Sequence, residues 1–187
     1  MDPRKSIGIS SHGTRFDSSP RRRYARGMSS TTFASIDPRD PLALSVLTSY
    51  FTEVADRWEG ASADPAWLQQ TLNGPEVALL QGTGGDLVIA RRGESIVGCG
   101  GVRWIDYDTA ELTAVYTFPS ARGAGIGTDI VTELERRARL TGRHTVRLDT
   151  REDLVEARAL YAGLGYAPVP AFNTDPYAQI WLAKSLA

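Results

Sequence analysis

The sequence predicts one α+β domain. Seven segments have the alternating or β-branched composition of strands, and four space their apolar residues as amphipathic helices do. The strand-like segments are 32–36, 86–92, 95–105, 110–118, 144–150, 166–172 and 177–182. The chain has 187 residues, of which 42% are hydrophobic, so it is long enough for one well-buried core and short for two domains.

Start and stop signals support the four helices. Asp40-Pro41 and Asp64-Pro65 each supply an N-cap followed by a proline in the first turn, which predicts helices over 41–58 and from 65 to Gly74. A third amphipathic helix runs from Ile126 to a stop at Gly142. Before the fourth, Thr150-x-x-Asp153 is similar to a capping box.

The hairpin predicted at 86–105 turns at Gly93-Glu94, and its second strand is rich in glycine. Gly98, Gly100 and Gly101 would weaken an ordinary strand, so we expect a bend or a close approach of another backbone there. Cys99 lies among them, and with no histidine nearby in the sequence it is interpreted as a buried core residue.

Charge is divided unevenly along the chain. The net charge is −1, but residues 1–27 carry +5 and the remainder −6. Residues 1–30 are rich in Ser and Arg and poor in large apolar residues, which predicts a disordered basic extension before a domain at 31–187. An arm for nucleic acid or an anionic surface, or an upstream extension of a chain that starts at Met28, are the alternatives.

Composition also limits location and partners. A single cysteine excludes an intrachain disulfide, no apolar run approaches the length of a membrane span, and no apolar h-region follows the N-terminal arginines. We therefore expect a cytoplasmic protein without a membrane or nucleic-acid partner, and we expect no metal.

The stretch from Arg122 to Gly127 is the strongest functional signal. Its three glycines lie where the strand-like segment 110–118 ends and the third helix begins. Glycines allow the backbone to approach a ligand, and a helix start presents unpaired amides and a positive dipole end to an anion. We interpret the loop as a pyrophosphate site, with a flexible turn as the alternative.

These residues are similar to the signature [Arg or Gln]-x-x-Gly-x-[Gly or Ala] of the Gcn5-related N-acetyltransferase (GNAT) family, with Arg122, Gly125 and Gly127 at its fixed places. The stretch 160–166 (LYAGLGY) also resembles the family's LYxxxGF pattern, and the resemblance covers about residues 31–187. It implies an α/β/α fold with a mixed, mostly antiparallel sheet of six to seven strands and about four helices. It also implies acetyl-CoA as cosubstrate, bound by Val115, Thr117, Arg122, Gly123, Ala124, Gly125, Ile126, Gly127 and Thr128.

The resemblance places a base and an acid in the site. Strict alternation along 110–118 puts Glu111, Thr113, Val115 and Thr117 on one face of the strand. Glu111 matches the general base of the histone-acetyltransferase branch, and an exposed carboxylate at a strand end is the alternative. Backbone groups near Val115 and Thr117 match those that pair with the pantetheine arm, beside a bulge.

Tyr161 matches the tyrosine that faces the coenzyme sulfur in the family and is the candidate general acid; a core aromatic is the alternative. The family often has Asn seven positions before this tyrosine, where this chain has Leu154, which leaves one coenzyme contact in doubt.

The acceptor site is expected between the first two helices and the last two strands. Its candidate residues are Tyr50, Glu53, Trp58, Phe172, Asn173 and Tyr177. Trp58 could instead only cover the sheet.

The predicted function is transfer of an acetyl group to a primary amine of a small molecule or peptide, by direct attack in a ternary complex. An acyl-CoA-binding sensor or interaction module on the same fold is the alternative, and a homodimer is compatible with either. A Rossmann dinucleotide site is disfavoured because the third glycine of its motif is replaced by Ile130 and the motif lies late in the chain.

Overall fold

In the computed structural model, which describes residues 30–60 and 62–186, helices cover both faces of a seven-stranded sheet. The strands are β1 (Thr31–Ser35), β2 (Gly85–Arg92), β3 (Ser95–Trp104), β4 (Thr109–Thr117), β5 (Thr145–Thr150), β6 (Ala167–Pro168) and β7 (Ile180–Ser185). The helices are α1 (Pro41–Glu59), α2 (Pro65–Leu72), the single-turn α3 (Pro75–Ala78), α4 (Ile126–Leu140) and α5 (Val155–Gly163). The predicted α/β/α architecture is confirmed.

The sheet has the order β1-β2-β3-β4-β5-β7-β6, and β4 and β5 are its parallel pair. Their pairing covers only 109–111 against 145–147 and ends at Glu111 opposite Arg147. Beyond that point β4 continues to Thr117 and β5 to Thr150 without pairing to each other. The two strands therefore separate in the middle of the sheet.

Two apolar cores lie on opposite faces of this sheet. One contains the buried residues of α4, including Ile130 and Leu134, together with Tyr161 of α5. The other contains Leu47 of α1, Leu72 of α2 and the residues of the sheet beneath them. The site therefore lies between α1 on one face and α4 and α5 on the other.

The glycines of β3 allow two close approaches, one by side chains of α4 and one by the backbone of β4, and the sequence predicts a bend or a close backbone approach there. A Cβ on Gly100 would lie 2.5 Å from Cγ2 of Ile130, and one on Gly98 would lie 2.1 Å from the carbonyl oxygen of Tyr116. Both distances are too short for any other residue.

The structure corrects two predictions near the C-terminus. Thr150 belongs to β5, and α5 begins at Val155 after Leu154 without a side-chain cap, because Asp153 pairs with Arg151 instead. The capping-box interpretation is therefore wrong. The last strands are also shorter or later than expected, at 167–168 and 180–185.

The predicted extension at 1–30 falls, apart from Ser30, outside the described residues, so the domain boundary near residue 31 stays a prediction. Among the described residues, no helix combines the length and apolar character needed to cross a bilayer.

Candidate active site

A cavity of about 380 Å³ opens where the C-terminal half of β4, the 122–127 loop, α5 and α1 meet. Eleven of the predicted residues line it, namely Tyr50, Glu53, Val115, Thr117, Arg122, Gly123, Gly125, Ile126, Gly127, Thr128 and Tyr161. Its wall also includes residues that the sequence did not single out for the site, such as Val54, Arg57, Tyr116, Ala157 and Leu160. The structure thus brings the predicted loop and the candidate acid to one cavity.

One end of the cavity is made of backbone amides. Gly125 has a φ of +81° and directly precedes α4, with no side chain capping the helix. Within the described residues, none of the six amides from Gly123 to Thr128 donates a hydrogen bond, and the first helical bond is from Asp129 to Gly125. Unpaired amides at the positive end of a fifteen-residue helix form a site for an anionic group.

Two arginines fix this loop, Arg92 from β2 and Arg122 from within the loop. Arg92 of β2 donates from Nη2 to the carbonyl oxygen of Ala124 at 2.9 Å, so Ala124, unlike its neighbours, serves to hold the loop. Arg122 donates to the carbonyl oxygen of Thr117 at 3.1 Å and to both oxygens of Glu53 at 2.6 and 2.7 Å. Glu53 of α1 is thereby joined to the loop that was predicted to bind phosphate.

A bulge in β4 re-aims the side chains beside the cavity. Cys99 pairs with Tyr116 and Gly101 with Thr113, so β4 has one extra residue between them, and Ala114 has a φ of +49°. The strict alternation predicted for 110–118 is therefore wrong after Thr113. Alternation puts Leu112, Ala114 and Tyr116 on one face, but Leu112 lies in the core on the α4 side, whereas Ala114 and Tyr116 lie in the core on the α1 side.

Tyr161 lines the cavity and is 7% exposed. Burial, followed by the charges of Tyr50 and Asp149, raises its pKa well above that of an ordinary phenol. The hydroxyl is thus protonated at neutral pH. Tyr50 of α1 is similar, since burial and then the charge of Cys99 raise its pKa to about 12.

Glu111 lies outside the cavity wall, at the point where β4 and β5 part. It is 3% exposed, and both of its oxygens are held: Arg147 donates to Oε2 at 2.8 Å, and Arg103 to Oε1. Arg103 also pairs with Glu76 of α3. This arrangement joins β3, β4 and β5 by partly buried ion pairs and leaves no oxygen of Glu111 free.

Two of the six predicted acceptor residues, Tyr50 and Glu53, line the cavity, and the other four form two groups outside it. Phe172 lies beneath the guanidinium of Arg147 at 4.0 Å, and Asn173 donates to Asp149 of β5 at 2.8 Å. Trp58 and Tyr177 meet edge to face at 5.7 Å, and both are 44% exposed. None of these four lines the cavity, but Asp149 raises the pKa of Tyr50 and Tyr161, which do.

Cys99 is fully buried, as expected, and burial raises the pKa of its thiol to about 12. Such a thiol is not a nucleophile at neutral pH. No group of three or more His, Cys, Asp or Glu able to hold a metal occurs among residues 30–60 and 62–186.

Comparison with known proteins supports the same interpretation of the fold. Residues 47–166 match the model of the acetyltransferase (GNAT) family. Over 122 residues the chain is 31% identical to a protein named IAA acetyltransferase from Azospirillum brasilense, an alignment that covers 63% of this chain and 73% of the relative.

Solved structures of GNAT proteins share the fold. A GNAT-family acetyltransferase from Staphylococcus aureus is 15% identical with a TM-score of 0.67, covering 84% of this chain and all of that one. A GNAT-family acetyltransferase from Elizabethkingia anophelis with acetyl-CoA bound is 16% identical with a TM-score of 0.58, covering 83% and 98%. An aminoglycoside 6′-N-acetyltransferase complexed with coenzyme A is 20% identical with a TM-score of 0.61, covering 83% and 97%.

Proposed function

The chain belongs to the GNAT family of acetyltransferases, and on that premise we propose that it transfers an acetyl group from acetyl-CoA to a primary amine. The observation that carries the proposal is the cavity itself. Amides from 123 to 128 that have no partner among the described residues lie at one end of it, and a buried, protonated tyrosine lies in its wall.

The residues present fit acetyl-CoA. The amides of 123–128 and the N-terminus of α4 suit the pyrophosphate, because they supply hydrogen-bond donors and positive potential. Val115 of β4 and Ala157 and Leu160 of α5 give the adjoining wall an apolar surface that suits the pantetheine arm. When bound, this cosubstrate supplies the activated acetyl thioester.

Tyr161 is proposed to donate its hydroxyl hydrogen to the sulfur that leaves the acetyl group. Because its pKa is raised, the phenol of Tyr161 is fully protonated at neutral pH and can donate a hydrogen bond. For the same reason, complete loss of its proton costs more free energy than it would for an ordinary phenol. The tyrosine therefore stabilises the departing thiolate chiefly as a hydrogen-bond donor, and any proton that it gives is recovered from solvent.

The acceptor amine must be neutral to attack. An alkyl amine with a pKa of about 10.4 is almost entirely protonated at pH 7, and supplying the neutral form costs roughly 4 to 5 kcal/mol. The assignment of Glu111 as the base stays a prediction, and its surroundings weigh against it, because two guanidinium groups occupy the oxygens that would take the proton.

The class of acceptor is the open part of this proposal. The relative from A. brasilense is named an IAA acetyltransferase, and one structural neighbour is named an aminoglycoside acetyltransferase. These two names point to different acceptors. The charge of −6 on residues 28–187 favours cationic amines mildly.

A binding module without turnover is the second candidate. The pairing of Glu111 with two arginines favours it, because the predicted base is then purely structural. Both candidates require coenzyme binding, so only turnover separates them.

The test uses the full chain, acetyl-CoA and four probe amines: phenethylamine, kanamycin, a tripeptide with a free N-terminus and Nα-acetyl-lysine. Release of the coenzyme thiol that depends on the amine, with one acetylated amine per thiol in the mass spectrum, is the expected result. Tight coenzyme binding by calorimetry without acetylation of any amine would favour the module instead.

A further inference from the structure

One carboxylate on the central strands has the free oxygen that Glu111 lacks. Asp149 lies on β5, two residues past Arg147, where the pairing of β4 and β5 ends. It shares the face of β5 with Arg147, because Val146 and Leu148 between them point into the core on the α4 side. Asp149 therefore lies on the α1 side of the sheet, in the part where the central strands have separated.

Its side chain is held by a chain of neutral donors. The indole of Trp181, its register partner on β7, donates from Nε1 to Oδ1 of Asn173 at 3.0 Å. Asn173 in turn donates from Nδ2 to Oδ2 of Asp149 at 2.8 Å. Among the described residues this is the only hydrogen bond to the carboxylate of Asp149, which leaves Oδ1 without a donor.

Burial and two neighbouring carboxylates favour proton uptake by Asp149. Burial is the largest cause that raises its pKa, and the charges of Glu111 on β4 and Asp175 in the β6–β7 connection raise it further. The hydrogen bond from Asn173 and the charge of Arg103 on β3 act in the opposite direction without cancelling the rise.

The charge of Asp149 also acts on the candidate acid. This charge is among the causes that raise the pKa of Tyr161 on α5 and of Tyr50 on α1, and both tyrosines line the cavity. Asp149 on β5 is not itself one of the residues that line the cavity, but its charge acts on two that are.

We propose that Asp149 is the catalytic base that takes the proton from the acceptor amine, with Asn173 and Trp181 as its positioning residues. The inference rests on the proposed acetyl transfer. As the bond from nitrogen to the acetyl carbon forms, the carbon–sulfur bond breaks and its electron pair goes to sulfur. The amine proton passes to Oδ1 of Asp149, and the sulfur receives a hydrogen bond or a proton from Tyr161.

The first test is the pH dependence of kcat with the probe amine that the wild-type chain acetylates fastest. Asp149→Asn should lower kcat by about 10² to 10⁴, the usual worth of a placed base, and remove the acidic limb of the profile. Affinity for coenzyme A should stay the same. Asn173→Ala should lower kcat less and move that limb, since it removes only the orienting donor.

Two matched carboxylate-to-amide variants serve as controls. Glu94→Gln, on the exposed β2–β3 turn, should leave kcat and its profile unchanged. Glu111→Gln should keep the acidic limb; if it loses the limb while Asp149→Asn keeps it, the base is Glu111. A kcat for Asp149→Asn within about threefold of wild type, with the limb intact, overturns the proposal.

The second test does not depend on activity. The side-chain carboxyl of Asp149 is titrated by ¹³C NMR in the full chain and is assigned by the loss of its signal in Asp149→Asn. A midpoint above the ordinary value of about 3.9 is expected. A midpoint at or below that value overturns the assignment of Asp149 as the base, and it can be measured even if no probe amine is acetylated. A lack of acetylation by itself contradicts only the proposed function.

Discussion

At the scale of single residues, two tyrosines allow the acid to be tested against its neighbour. Tyr161 and Tyr166 are both buried, and their ring centroids are 5.5 Å apart, but only Tyr161 lines the cavity. Tyr161→Phe keeps the packing of the ring and removes the donor to sulfur, so kcat should fall by something like 10² to 10⁴ while coenzyme affinity changes little.

Tyr166→Phe is the matched control and should retain wild-type kcat. Both variants are compared at saturating substrates, in a range where chemistry limits the rate. A folded Tyr161→Phe protein with wild-type turnover would show that the ring is only a core aromatic.

The raised pKa of Asp149 also predicts how the stability of the fold depends on pH. Because its pKa is raised in the folded chain, the folded state binds more protons, and stability is lost as pH rises from the unfolded value through the folded one. The ionised carboxylate therefore destabilises the fold at neutral pH. Asp149→Asn should raise Tm at pH 7, and the gain should disappear near pH 3.

Scanning calorimetry across this range checks the sign, with Glu94→Gln as the control that should follow wild type at every pH. A variant with a lower Tm at pH 7 would mean that the folded site favours the carboxylate.

The site was only partly predictable at this scale. The loop and Tyr161 belong to contiguous motifs, so their positions in the sequence were enough to find them. The contact between Asp149 and Asn173 joins residues 24 positions apart on different elements, and no local pattern marks it. The partners of Glu111 were missed because Arg103 and Arg147 reach it from neighbouring strands.

At the scale of elements, the glycine loop depends on one backbone conformation. Gly125 has a φ of +81° and nothing within 4 Å of the place of a Cβ, so a substitution acts through strain alone. Gly125→Ala should cost about 1 to 2 kcal/mol of stability. Gly125→Glu should also weaken coenzyme A binding, because it adds a negative charge where the pyrophosphate is proposed to lie.

Calorimetric titration with coenzyme A measures this loss, and Gly163→Ala in α5 is the control. A Cβ at position 163 would have no atom within 4 Å, and the position does not need a positive φ. The coenzyme A affinity of the Gly163→Ala protein should therefore match that of wild type. Unchanged affinity in a folded Gly125→Glu protein would remove the pyrophosphate assignment.

Helices and strands with strong periodicity were predicted to within a residue or two, whereas irregular ones were not. α1 begins after the N-cap residue Asp40, α4 begins after Gly125, and both helices have a clear apolar face. The family resemblance implies a bulge beside Val115 and Thr117, but the residues alone do not show that it lies at Ala114, because a left-handed alanine leaves no trace in the pattern of apolar residues. The bulge moves the side chains of Val115 and Tyr116 to the opposite faces of the sheet from those that strict alternation with Leu112 predicts. The predicted alternation of β4 is therefore wrong where the cavity begins.

At the scale of the whole molecule, the sequence predicts that the site does not need the N-terminal region. Residues 1–27 contain few of the large apolar residues that a core requires, and the cavity is lined by residues from 50 to 161. Deleting 1–27 should leave Tm and coenzyme affinity unchanged. Thermal unfolding of the two chains side by side tests this, and a large drop in Tm would contradict the boundary near residue 31.

The central claim is that this cavity transfers an acetyl group and does not only bind the coenzyme. Its most direct test is a single reaction of the full-length chain with acetyl-CoA and each probe amine, followed by thiol release and mass spectrometry. Thiol and acetylated amine are expected in equal amounts from the wild-type chain, and both should be strongly reduced in Tyr161→Phe and in Asp149→Asn. Coenzyme binding with no acetylated product from any of the four amines would contradict it.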